Sequence, residues 1–95
     1  MLVAIPSKGR AGAVKTLEVL PFASLYIPES EERSYRGIYP DADIVLVPET
    51  VRGITNTRNW VLENTDERYV VFVDDDVVGV GYWACLLYTS DAADE

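Results

Sequence analysis

Four short apolar segments most constrain how this 95-residue chain can fold. They are Leu2–Ile5, Ala23–Ile27, Ile44–Val47 and Tyr69–Val73, and they end 20 to 26 residues apart. Such runs, rich in Val, Ile and Leu without polar alternation, are typical of strands that are buried on both faces of a parallel sheet. Proline follows the first three runs, and because it cannot donate to a strand ladder it marks the strand ends. The pattern therefore predicts four parallel strands.

The segments between these strands show helical spacing. Apolar residues within 14–20 fall on one helical face, and Pro21 ends that helix. Ser30, followed by two glutamates, predicts the N-cap of a second helix that runs to about Tyr39. A third helix is expected over Ile54–Asn64.

The resulting order β-α-β-α-β-α-β predicts an α/β domain with a doubly wound parallel sheet. Right-handed crossovers favour the strand order 3-2-1-4. Strands 1 and 4 are then neighbours, and the chain changes direction between them. Ligands bind at such a switch point, beyond the carboxyl ends of the strands. The polar residues that follow strands 1 and 4 are therefore the first candidates for a site.

Composition excludes several classes of function. The chain has 16 Asp+Glu against 8 Lys+Arg, a formal net charge of −8, which argues against a free-standing nucleic-acid binder. It has no His and one Cys, Cys85, so it cannot form a disulfide framework, a zinc finger or a Ser-His nucleophile pair by itself. No apolar run approaches the roughly 20 residues that span a bilayer. The chain begins without a basic signal-peptide region, so we expect a cytoplasmic protein without a membrane partner.

Residues 85–95 differ from the rest of the chain. They resemble the conceptual translation of a transposase-type adapter from DNA sequencing libraries; the alternative is an ordinary acidic tail. We expect one native domain over 1–84, carrying 13 acidic and 8 basic residues, which continued beyond residue 84 in its natural form. The eleven residues that follow are expected to be a non-native tail that makes no specific contribution to the core and has low order or arbitrary structure, which makes Cys85 non-native as well.

Asp74, Asp75 and Asp76 directly follow the fourth strand. Adjacent carboxylates repel one another unless a cation compensates them. Strand alternation places Asp74 and Asp76 on the same side, where hard oxygen ligands suit Mg²⁺ or Mn²⁺. An acidic corner that caps a turn is the alternative interpretation.

The loop after strand 1, residues 7–12, places two cations at a helix start. Lys8 and Arg10 add charge to an end of a helix that already attracts anions. Ser7 precedes them. The loop is neither a Walker A motif nor a three-glycine dinucleotide fingerprint, and a solvated surface turn remains the alternative.

Two further positions are candidates for ligand contacts. Arg58 and Asn59 lie in the polar start of the third helix, after Gly53. Glu29 lies just past strand 2, where a carboxylate can accept hydrogen bonds from ribose hydroxyls. Taken singly, these residues are equally well explained as solvated side chains on a helix and a turn.

Together these motifs resemble nucleotide-sugar glycosyltransferases of the GT-A fold. The acidic triplet 74–76 resembles their Asp-x-Asp motif, and Arg58-Asn59 resembles the helix before it. More narrowly, residues 5–10, 53–59 and 73–76 are similar to the TET-associated glycosyltransferases of phages, a family whose acceptors are hydroxymethylated pyrimidines in DNA. The resemblance covers nearly all of residues 1–83, the nucleotide-binding half of such a domain.

The resemblance implies a nucleotide-diphosphate sugar as donor and a divalent ion, Mn²⁺ or Mg²⁺. Asp74 and Asp76 would bind the ion, which acts as a Lewis acid on the leaving diphosphate. The residues implied in donor binding are Ser7, Lys8, Arg10, Glu29, Arg58, Asn59, Asp74 and Asp75. The general base that an inverting enzyme needs, and the surface for a DNA acceptor, are expected beyond residue 84, so no catalytic residue is assigned and the fragment is expected to be inactive alone.

Two alternatives from other classes remain. A sugar-phosphate nucleotidyltransferase also combines a basic loop after strand 1 with metal-binding acids, but its loop is usually richer in glycine. A non-catalytic Mg²⁺-binding α/β module usually carries its acids after strands 1 and 3, whereas strand 1 here is followed by Ser7 and Lys8.

Overall fold

The structure, a computed structural model, describes residues 1–76 and the backbone of residues 85–89. It contains one five-stranded sheet in the order β3-β2-β1-β4-β5. The strands are β1 Leu2–Pro6, β2 Ser24–Pro28, β3 Asp43–Val47, β4 Tyr69–Val73 and β5 Cys85–Thr89.

The first four strands are parallel, which confirms the predicted order 3-2-1-4. Ile5 lies opposite Leu25, and Tyr26 lies opposite Val45. On the other side of β1, Val3 pairs with Val71. All four carboxyl ends therefore reach the same edge of the sheet, with the switch point between β1 and β4.

Three α-helices connect the parallel strands: α1 Thr16–Val19, α2 Glu32–Ile38 and α3 Ile54–Asn64. The bounds of α3 are as expected, and α2 ends within one residue of the expected position. Only four residues of the first predicted helix are α-helical, after a short 3-10 helix at Ala11–Ala13. Within residues 1–76 and 85–89, no helix has the length and apolarity that crossing a membrane requires.

The predicted N-cap at Ser30 is wrong. A 3-10 helix at Glu29–Glu31 precedes α2, and no side chain caps either of these two helices by a hydrogen bond. The N–H of Ser30 instead donates to the Glu49 carboxylate at 3.5 Å. Pro28 fixes an extended backbone immediately before this turn, so the chain enters α2 through a tight 3-10 turn rather than through a serine cap.

The core has one apolar cluster on each face of the sheet. On the face covered by α1 and α2, buried side chains include Ile5, Leu25 and Tyr35. On the face covered by α3, they include Val61 and Phe72. Strands buried on both faces explain why the sequence shows continuous apolar runs instead of alternation.

The structure describes the backbone of five residues of the predicted tail, Cys85–Thr89. This segment forms β5, which runs antiparallel to β4 with Val71 opposite Leu87. The outer edge of β4 presents unpaired backbone groups, and the run from Leu86 to Thr89 has residue types that suit a strand. Residues 77–84 and 90–95 lie outside the described part, and the non-native origin of the tail stays a prediction.

Candidate donor-binding site

A cavity of about 510 Å³ opens at the carboxyl edge of the sheet. Its floor is formed by the ends of β1, β2 and β3, and its walls by the loop after β1 and the start of α3. Gly53, with φ at 84°, lets the chain turn into α3 beside the cavity. Lys8, Tyr26 and Asp75 all line it. The cavity thus occupies the position that parallel α/β sheets use for ligands.

Asp75 is the member of the acidic triplet that faces the loop after β1. Its side chain is 12% exposed, and its Oδ2 accepts a hydrogen bond from the Ser7 hydroxyl at 2.9 Å. The Nε of Arg10 lies 3.4 Å from the same oxygen. The loop and the triplet, 68 residues apart in sequence at Ser7 and Asp75, are therefore joined by direct polar contacts.

Thr16 fixes the backbone of the triplet from the opposite direction. This fully buried residue donates its N–H to the Asp75 carbonyl at 3.3 Å and its hydroxyl to the Asp74 carbonyl. The first turn of α1 thus anchors the chain where it leaves β4.

Two tyrosines of the α2 segment attach to the loop after β1. The buried hydroxyl of Tyr35 lies 2.8 Å from the Ser7 Oγ and accepts the N–H of Arg10 at 3.1 Å. One helical turn later, the hydroxyl of Tyr39 accepts the N–H of Val14 at 3.1 Å. The sequence analysis missed both contacts. The i, i+4 spacing of these tyrosines was visible, but nothing in the sequence indicated where the hydroxyls would point.

Comparison with known proteins decides the family. The model of a family described as TET-Associated Glycosyltransferase matches residues 1–92. The chain belongs to this family. The match includes residues 85–92, which the sequence analysis assigned to the tail.

Two phage proteins resemble the chain. The beta-glucosyl-HMC-alpha-glucosyl-transferases of Enterobacteria phages T6 and T2 are 33% and 32% identical to it over 76 residues. These matches cover 76% of this chain but only 27% of each relative. This TET-associated glycosyltransferase chain therefore spans about a quarter of the length of the curated relatives that it matches.

A solved structure supports the fold. The mannosyltransferase PcManGT from Pyrobaculum calidifontis, in complex with GDP-Man and Mn²⁺, aligns with a TM-score of 0.54 at 22% identity. The alignment covers 79% of this chain and 27% of that protein. The Rossmann-like α/β fold that the sequence predicts, with its parallel strands in the order 3-2-1-4, is thus shared with a solved glycosyltransferase.

Lys8 and Arg10, the two cations of the loop after β1, differ in their contacts. Arg10 faces Asp75, and its side chain is half exposed. Lys8 is exposed at the cavity rim and forms no ion pair with any residue that the structure describes. Lys8 therefore keeps its charge available to an anion in the cavity, whereas Arg10 is already paired.

The acid that reaches the cavity from β2 is Glu31 rather than Glu29. Glu29 is exposed and does not line the cavity. Glu31 does, and its carboxylate accepts the N–H of Gly9 at 2.6 Å. The 3-10 turn after β2 accounts for this shift of two residues, because it carries Glu29 away from the strand end and brings Glu31 back toward the loop.

Arg58 lies in the first half of α3, and its side chain packs on β4. Its guanidinium carbon is 5.8 Å from the centroid of the Phe72 ring, a cation–π distance. Its Nε is buried without a hydrogen-bond partner in the described part of the chain. Arg58 and the exposed Asn59 do not line the cavity, but Arg52 and Thr57 of the same segment do.

Tyr26 forms the apolar wall of the cavity toward α3. Its ring packs edge-on against Trp60, with centroids 6.4 Å apart and planes at 72°. Burial, reinforced by the nearby Asp43 carboxylate, raises the pKa of the Tyr26 phenol above its ordinary value. The phenol is therefore neutral at physiological pH and can act as a hydrogen-bonding group.

Asp74 and Asp76 are both exposed at the end of β4. Among the described residues, no group of three or more acidic, cysteine or histidine side chains is placed to hold a metal ion. Two exposed carboxylates still fit Mg²⁺ or Mn²⁺, because these ions commonly take one or two protein carboxylates and complete their shell with phosphate and water. The pair's role as metal ligands stays a prediction.

Proposed function

We propose that this chain is the donor-binding part of a metal-dependent glycosyltransferase that uses a nucleotide-diphosphate sugar. One observation carries the proposal: in a member of this family, Lys8 and Asp75, the middle residue of the acidic triplet, both line a cavity at the carboxyl edge of the sheet. The cavity's volume of about 510 Å³ is within the usual range for a small-molecule site.

The lining suits the parts of such a donor. Tyr26, Ile27 and Val51 offer apolar surface for a base, and Glu31 offers a carboxylate for ribose hydroxyls. Lys8 and the first turn of α3 offer positive potential for the diphosphate. Asp74 and Asp76 would hold Mn²⁺ or Mg²⁺, which supplies Lewis-acid stabilisation of the leaving group.

The acceptor that we propose for the whole enzyme is a hydroxymethylated pyrimidine in DNA, in the cytoplasm of a phage-infected bacterium. The names of the phage relatives support this acceptor. Residues 1–84 carry a net negative charge and no basic stripe, so the DNA-binding surface and the general base would belong to a part of the enzyme outside these residues.

Calorimetric titration tests the donor site. The chain should bind UDP- or GDP-sugars in Mn²⁺, and chelation or Asp76→Ala should abolish this binding because the diphosphate would then face uncompensated carboxylates. Lys8→Ala should weaken binding about tenfold, through loss of the cation that lines the cavity.

Asp41→Ala provides the matched control, since Asp41 is an exposed acid in the loop before β3, at the other edge of the sheet. Its affinity should equal that of the unmodified chain. Donor binding that is insensitive to both chelator and Asp76→Ala would refute the metal assignment. Selective binding of a nucleoside triphosphate would instead support the nucleotidyltransferase alternative.

A further inference from the structure

Asp75 belongs to a closed ring of polar contacts that includes three separate segments of the chain. Tyr35 from α2 contacts both Ser7 and the backbone of Arg10, while Ser7 and the Arg10 side chain both contact one oxygen of Asp75. The distances along the ring are 2.8, 3.1, 2.9 and 3.4 Å. Each member is therefore located by two others.

The protons of this ring can be assigned. A serine hydroxyl has one proton, and Ser7 donates its proton to the carboxylate of Asp75. The proton between Tyr35 and Ser7 must then come from the tyrosine, whose oxygen in turn accepts the N–H of Arg10. All three hydrogen bonds are directed toward the carboxylate, an arrangement in which each bond polarises and strengthens the next.

We propose that Tyr35 is a positioning residue of the donor-binding cavity. Its side chain is fully buried and does not line the cavity, so it acts only through its neighbours. Through Ser7 it orients the carboxylate of Asp75, and through the N–H of Arg10 it fixes the loop that carries Lys8. The effect on donor binding rests on the proposed function; the effect on the loop does not.

Tyr39 offers a matched control on the same helix segment. Its hydroxyl also accepts one backbone N–H from the segment after β1, that of Val14. That contact lies outside the cavity lining and outside the ring around Asp75. Tyr35→Phe and Tyr39→Phe each remove one hydroxyl and keep the aromatic side chain. The chemical change is therefore the same, and only its position differs.

The experiment compares these variants in the 95-residue chain by NMR and by calorimetry. In Tyr35→Phe, the Arg10 amide should exchange with water about tenfold faster, and the Asp75 carboxyl carbon and Arg10 Nε–H signals should shift. Its affinity for UDP or GDP in Mn²⁺ should fall about tenfold. In Tyr39→Phe, only the Val14 amide should lose protection, and the affinity should stay within about twofold.

The outcomes separate the two proposals. Ser7→Ala removes the hydrogen bond from Ser7 to Asp75, so it should also shift the Asp75 carboxyl signal. It supplies a second measurement if Tyr35→Phe proves unstable. An unmoved Asp75 signal in a folded Tyr35→Phe variant would overturn the positioning role. Equal nucleotide affinities for Tyr35→Phe and Tyr39→Phe would overturn the proposed effect of Tyr35 on nucleotide binding. If the unmodified chain binds no nucleotide while the NMR shifts occur, the proposed function fails and the positioning of the loop stands.

Discussion

The two faces of the sheet fix their charged groups in different ways. On the α1–α2 face, Asp75 accepts a hydrogen bond from Ser7 and forms an ion pair with Arg10, and both partners are far from it in sequence. On the α3 face, Arg58 rests on the Phe72 ring, and its Nε has no acceptor in the described part of the chain. The first arrangement specifies orientation, whereas the second specifies only position.

The two arrangements differ in how much freedom they leave the charged side chain. Groups whose orientation is fixed before binding require little ordering when a ligand arrives. The guanidinium of Arg58 is held by packing on the Phe72 ring, outside the cavity lining. Asp75, which lines the cavity, is therefore oriented before any ligand binds, whereas Arg58 stabilises the sheet outside the cavity lining.

The largest expected effect concerns the packing on the α3 face. Phe72→Ala should lower the free energy of unfolding by about 3–5 kcal/mol, because it removes a buried ring from the core. Phe72→Leu fills most of the same space and should cost less than about 1.5 kcal/mol. Urea denaturation measures both. If Phe72→Leu were as damaging as Phe72→Ala, the ring itself and not its volume would hold this face together.

An intermediate effect should distinguish contacts between distant segments from contacts within one helix. Thr16 donates to a carbonyl 58 residues away, whereas Thr57 donates to Gly53 in its own helix at 2.9 Å. Thr16→Val should cost about 1–3 kcal/mol, because it removes a part-buried hydrogen bond that a fully buried residue makes to a distant segment. Thr57→Val removes a hydrogen bond that is exposed and local, so it should cost less than about 0.5 kcal/mol. Similar losses in thermal unfolding would contradict the contrast between the faces.

The smallest effect is a pH dependence on the α3 face. The pKa of Tyr26 is raised in the fold above the ordinary 10.0, so the folded state binds this proton more strongly than the unfolded state does. The associated stability is complete below pH 10 and is lost as pH rises through the raised pKa. Tyr26→Phe should remove this loss, and Asp43→Asn should shift it to lower pH, as followed by tyrosinate absorbance and unfolding. An unchanged titration in both variants would contradict the assigned causes.

The sequence predicted the strand order because its information was local and repetitive. Apolar runs that end in proline located β1 to β3, and β-branched residues located β4. We did not predict β5, because residues 85–89 were assigned to a non-native tail and their pairing with β4 depends on a neighbouring strand.

The candidate site was predicted only in outline. The switch point brought Ser7, Arg10 and Asp75 together as expected. The sequence could not show that a 3-10 turn exchanges Glu29 for Glu31 at the cavity. Nor could it show that Tyr35 reaches across to the loop, because a hydroxyl's target depends on how two elements pack.

The central place of β1 has a consequence for the order in which the molecule assembles. β1 pairs along one edge with β2, which follows it closely in sequence. Its other edge pairs with β4, which is distant in sequence, so that Leu2 lies opposite Val70. Contacts between such distant positions require closure of a long loop and slow the folding of parallel sheets. During synthesis, the first strand emerges from the ribosome long before that partner exists. We therefore expect the ligand cavity and the completed sheet to form in the same late step, so that a nascent chain gains its binding site only when β4 has been made.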